Sequence, residues 1–149
     1  MQDRFETFTV LVAAINRCIY KIKTEEMAEF DLKSSHVSCL YYLYKQGPLS
    51  AKELCDLCGE DKANISRTVR YLESSGYVAC KAQGGKRYQS ALILTEKGED
   101  IAFRITHKVD DYLAMASQGL DEQDRLVMYR SLALIAQNLE QICQEYACK

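Results

Sequence analysis

The chain has 149 residues, 48% of them apolar and 27% charged, with a formal net charge of −2, which fits one ordinary domain with enough apolar residues to build a core. No apolar run approaches the roughly 20 residues of a membrane span, and the N-terminus MQDRFETFTV lacks the basic-then-apolar layout of a signal peptide, so the expected location is cytoplasmic with no membrane partner. Seven cysteines, an odd number at irregular spacing, read as reduced thiols rather than a disulfide framework.

In chain order, Phe5, Phe8, Val12, Ile15, Ile19 and Ile22 recur at three- and four-residue steps and predict a first helix over residues 3–29. Such a helix is long for a small domain and is expected to pack beyond its own core. Val37, Leu40, Tyr41 and Tyr44 mark a second helix over 33–46, stopped by Gly47-Pro48. Ser50-x-x-Glu53 is a capping box that opens a short third helix over 51–58, with Leu54 and Leu57 inward and Gly59 at its end. A fourth helix opens at Asp61 and ends at Gly76. Ile65, Val69 and Leu72 share one of its faces, and Lys62, Ser66, Arg67 and Arg70 fall largely on the other.

Tyr77–Lys81 and Ser90–Leu94 alternate, with Gly84-Gly85 between them, and predict a hairpin with a polar tip. Thr95 caps a helix over 96–117, and a last helix follows over 121–147 with Leu126, Met128, Leu132, Ile135, Leu139 and Ile142 apolar. The fold class is thus mainly α with a small β-hairpin: a winged helix-turn-helix over residues 33–95, flanked by long dimerisation helices at 1–30 and 97–149.

Charge is segregated along this layout. Asp61 to Tyr88 carries six bases against two acids, a local +4 in a chain of −2, so the remainder is −6. Local field outweighs total charge when a protein docks on phosphate. A helix presenting short polar and basic side chains can enter a major groove, where Arg67 and Arg70 suit guanine, Asn64 suits adenine, and Ser66 suits a base or a phosphate. Lys62, Ser50 and Lys52 are placed for backbone phosphates. Lys86 and Arg87 at the hairpin tip suit a narrow, electronegative minor groove. Double-stranded DNA is the expected partner.

The order of these pieces resembles the MarR (multiple antibiotic resistance regulator) family of bacterial transcription factors. The residues carrying it are Gly47-Pro48-Leu49-Ser50, Lys52-Glu53-Leu54, the run from Asp61-Lys62 through Ile65-Ser66-Arg67 and Leu72-Glu73 to Gly76-Tyr77-Val78, and Leu94-Thr95-Glu96-Lys97-Gly98. The resemblance implies a homodimer formed by the first and last two helices, a recognition helix in the major groove and a wing at the minor groove. The wing departs from the family's frequent Asp-x-Arg, whose positions fall on Lys86 and Tyr88 with Arg87 between them. The function implied is a dimeric repressor, bound to a pseudo-palindromic operator and released by a small-molecule effector. His36 and Tyr41, with Tyr42 and Tyr44, are the expected effector-cleft residues, and core packing explains them equally well.

The remaining candidates are weaker. Cys55-x-x-Cys58 reads as core, because no second CxxC or His pair completes a zinc site. His36 and His107 each stand without a metal-binding neighbour at suitable spacing, so no metal and no cofactor is expected. Cys18, flanked by Arg17, Lys21 and Lys23, carries the alternative reading of a thiol-based redox sensor. No phosphate loop, catalytic triad or carboxylate pair appears, so no enzyme is expected.

Overall fold

The computed structural model describes residues 4–81 and 90–147, and its helices fall close to where the periodicity places them. They are α1 (Arg4–Met27), α2 (Ser34–Gln46), α3 (Ala51–Cys58), α4 (Lys62–Ser74), α5 (Glu96–Ala116) and α6 (Glu122–Ala147). Strands β1 (Val78–Lys81) and β2 (Ala91–Leu94) pair antiparallel, with Val78 opposite Leu94 and Lys81 opposite Ala91. The first helix ends earlier than expected. Ala28–Phe30 tightens into a 3₁₀ turn, closed by Asp31 in the left-handed conformation.

The chain divides into two compact units, Met1–Lys108 and Val109–Lys149. In the first, Val37, Cys39 and Leu40 from α2, Leu54 from α3, Ile65 and Leu72 from α4, and Ile105 from α5 are fully buried. One inward stripe per helix therefore builds a single apolar centre beneath the helix-turn-helix. The loop before α3 is drawn into the sheet, since Leu49 and Leu92 exchange backbone hydrogen bonds at 3.2 and 2.8 Å. Lys108 of α5 pairs with Glu26 of α1 at 3.0 Å and with Glu29 of the 3₁₀ turn at 3.6 Å.

The junction from β-hairpin to α5 explains the Leu94-Thr95-Glu96-Lys97-Gly98 signature. The Thr95 hydroxyl donates to the Gly76 carbonyl (2.6 Å) and accepts from the Gly98 N–H (3.0 Å). Lys97 donates to the Ser75 carbonyl (2.7 Å) and lies over the Tyr77 ring. Gly98 is buried against Tyr77, and a Cβ there would collide with the Tyr77 carbonyl oxygen.

In the second unit, the end of α5 and α6 are joined by a turn through Gly119, and Asp121 caps α6 by accepting from the Asp124 N–H (2.7 Å). Large apolar side chains stay open here: Leu126, Leu132, Leu139 and Ile142 are all exposed. In the first unit, Val12, Ile15, Ile19 and Ile22 of α1 are likewise exposed. The α1 and α6 stripes legible in the sequence are therefore not used up in the core of one chain. Among the described residues no helix is long and apolar enough to cross a membrane.

Candidate nucleic-acid interface

The start of α3 is built by its own sequence. The Ser50 side chain accepts from the Glu53 N–H (3.2 Å), while Glu53 Oε2 accepts from the Ser50 N–H and hydroxyl, both at 2.7 Å. These bonds, the backbone one foremost, hold the Glu53 carboxyl below the usual carboxylate range. Lys52 is exposed on the first turn. Gly59 ends the helix at φ 63°, and its N–H bonds back to the Cys55 carbonyl.

After the turn, Asp61 caps α4 by accepting from the Asn64 N–H at 2.7 Å. The two faces of α4 separate cleanly. Ile65, Thr68, Val69 and Leu72 are buried, whereas Lys62, Ser66, Arg67 and Arg70 are exposed. Lys62, Ser66 and Arg70 also line a cavity of about 290 Å³ with Val69 and Glu73. Ala51 from the first turn of α3 and Leu92 from β2 complete its wall. The first turn of α3 and the outer face of α4 thus open onto the same surface.

Asn64 sits differently from its basic neighbours. It is half-buried, and its Nδ2 donates to Glu60 Oε2 at 2.5 Å, so one of its two donors is engaged in the turn between α3 and α4. Lys86 and Arg87 lie outside the described residues.

Sequence reasoning missed the contacts that hold α4 to α2. Thr68 donates to the Ser35 hydroxyl (3.1 Å). The His36 ring stacks on Tyr71, with centroids 4.2 Å apart and planes 4° from parallel, and Tyr71 donates to the Asp31 carbonyl (3.0 Å). His36 Nδ1 also accepts from the Lys33 N–H (3.1 Å), which caps α2. Burial and the nearby Lys33 cation lower its pKa, and Asp31 opposes them. The Thr68–Ser35, His36–Tyr71 and Tyr71–Asp31 pairs join residues more than thirty positions apart, and no local pattern signals them.

Tyr41, five residues from His36, points to a different side of α2. It meets Tyr42 edge-on at 5.4 Å and carries Lys45 over its ring. Tyr44 meets Phe103 instead, so the structure does not gather His36 and the three tyrosines into one cluster. Cys18 is exposed on α1. Of the third-helix residues expected inward, only Leu54 is fully buried, while Leu57, Cys55 and Cys58 are half-buried. No group of metal-ligating side chains occurs among the described residues.

Residues 30–87 match the model of the MarR family. Over 83 residues the chain is 32% identical to the HTH-type transcriptional regulator YwoH of Bacillus subtilis, a match spanning 56% of this chain and 60% of the relative. Among solved structures, the fold superposes on NMB1585, a MarR family regulator from Neisseria meningitidis. That match has a TM-score of 0.84 at 17% identity, over 97% of this chain and 99% of the other. It also superposes on S. aureus MepR in a DNA complex, with a TM-score of 0.76 at 18% identity, over 89% and 97% of the two chains.

Proposed function

We propose that this chain is a member of the MarR family and acts as a homodimeric, sequence-specific DNA-binding transcription regulator, a repressor released by a small-molecule effector. One observation carries the reading: α4 buries Ile65, Thr68, Val69 and Leu72 and presents Lys62, Ser66, Arg67 and Arg70 outward beside the capped start of α3. That is the arrangement a recognition helix needs. Arg67 and Arg70 read bases, and Ser66 reads a base or a phosphate. Lys62, Lys52 and the Ser50 turn hold the phosphate backbone. Asn64 reads adenine if its amide leaves Glu60 on binding, and Lys86 and Arg87 take the minor groove. The role is recognition, not catalysis.

The exposed apolar stripes of α1 and α6 supply the dimer contacts, so residues 1–30 and 97–149 form the dimerisation region and 33–95 the DNA-binding region. Two recognition helices then face half-sites roughly 10 bp apart on a pseudo-palindrome. An effector seated on the Tyr41 side of α2 shifts α2, and the His36–Tyr71 stack passes that shift to α4.

Binding to genomic fragments over a salt series tests the reading. The expected result is selective retention of a few fragments, with affinity falling steeply as salt rises. Absent or salt-independent binding would refute it. Replacing Arg67 with Ala should cost about 1–3 kcal/mol and relax preference at one base pair per half-site. A uniform loss over all sequences would instead make Arg67 a phosphate contact.

A further inference from the structure

Three cysteines cluster at the junction of α2 and α3. Cys39, fully buried on α2, and Cys58, half-buried at the end of α3, bring their sulfurs to 3.9 Å, and Cys55 lies one helical turn before Cys58. Lys23 of α1 reaches into the same junction, where it donates to the Ser38 hydroxyl (2.9 Å) and acts electrostatically on Cys58.

We propose that Cys39 and Cys58 form a peroxide-oxidisable thiol pair, in which Cys58 attacks the peroxide and Cys39 resolves the product into a disulfide joining α2 to α3. Three observations assign these roles. The sulfurs are already in contact, 3.9 Å apart. Cys58 is only half-buried, whereas Cys39 is fully buried. The surroundings also divide the proton unequally. The hydrogen bond that Cys39 shares with Cys58, and then its desolvation, push the Cys39 thiol far up, so it keeps its proton. Cys58 is pulled down, first by that hydrogen bond and then by Lys23, against its own partial burial and the Glu60 carboxylate. The charged groups acting on Cys58 are thus Lys23 and Glu60, and the cation prevails.

The chemistry balances with hydrogen peroxide as the oxidant. The Cys58 thiolate attacks one oxygen, the O–O bond breaks, and hydroxide leaves to be protonated to water. The sulfenic acid left on Cys58 is attacked by the Cys39 sulfur. An S–S bond forms, the S–O bond breaks, and the departing oxygen takes the Cys39 proton as a second water. Two thiols are oxidised and one peroxide is reduced. The site is separate from Cys18, which is exposed on α1.

The test treats the reduced full-length protein with hydrogen peroxide and maps its thiols by mass spectrometry. Cleavage at Asp56 separates Cys55 from Cys58. The expected product has lost two hydrogens and yields a peptide linking Cys39 to Cys58. The Cys18→Ser variant should give the same link. Cys39→Ser should stop at a Cys58 sulfenic acid captured by a dimedone probe, and Lys23→Gln should slow modification of Cys58 several-fold. A wild-type product linking Cys55 to Cys58, or Cys18 to a second chain, with Cys39 still reduced, overturns the proposal. So does a protein whose Cys39 and Cys58 both survive as thiols after Cys18 is oxidised.

Discussion

His36 does two jobs, and the first of them needs its neutral ring. Its Nδ1 accepts the Lys33 N–H, which protonation would forbid, and its face lies against Tyr71. Because burial lowers its pKa in the folded chain, the unfolded chain binds the extra proton more readily. Stability from this group is therefore present above the ordinary histidine pKa of about 6.5 and lost as pH falls below it. Thermal melts should show the midpoint dropping between about pH 7 and pH 5, and His36→Gln should flatten that slope. A slope unchanged in the variant would assign the effect elsewhere. Gly98 answers to a different constraint, the close approach of α5 to the Tyr77 carbonyl. Gly98→Ala should destabilise the fold by about 3 kcal/mol, the upper end of the overpacking range, read from urea unfolding. A change below about 0.5 kcal/mol would mean that the junction gives way freely. The sequence marked Gly98 as part of a signature. Only the contact with Tyr77, twenty-one positions earlier, shows why a side chain is excluded.

At the scale of elements, α3 and α4 were the most legible part of the chain. Their caps, Ser50 with Glu53 and Asp61 with Asn64, are contacts between residues three apart, and helix geometry alone brings such residues together. Ser50→Ala should cost about 1 kcal/mol in urea unfolding and fray α3, whose eight residues leave little else to hold its start. Unaltered stability would show that tertiary packing sets the start of α3. The burial of Ile65, Val69 and Leu72 was equally readable, because a period of 3.6 declares its own inward face. Thr68 was not. It is polar, yet it sits among these residues, and only the Ser35 hydroxyl across the α2–α4 contact satisfies it. Asn64 was readable as a cap neighbour but not as a partner of Glu60, since the turn conformation decides that contact.

For the whole molecule, the exposed apolar stripes matter most. Val12, Ile15, Ile19 and Ile22 on α1, and Leu126, Leu132, Leu139 and Ile142 on α6, are large apolar side chains that recur at helical spacing and stay exposed. Ile15, 59% exposed, is a direct probe of this surface. Ile15→Glu should turn a two-chain species into a one-chain species by analytical ultracentrifugation with little loss of monomer stability. Operator affinity should fall about a hundredfold or more as the second half-site contact is lost. A wild-type protein that sediments as a monomer would refute the dimer, and a variant that remains dimeric would move its interface away from α1.

The sequence by itself determined which segments are helix and strand, where α2 to α6 begin and end, and which face of α4 carries the charge. All of these follow from side chains within a few residues of one another and from the fixed periods of helix and strand. Tertiary structure alone decided which distant side chains meet: His36 on Tyr71, Thr68 on Ser35, Gly98 against Tyr77, and Cys39 beside Cys58. It also decided which apolar stripes are covered within the chain and which remain open. The physical reason is that helix packing sets these contacts, and one-dimensional periodicity names a face without naming what it faces.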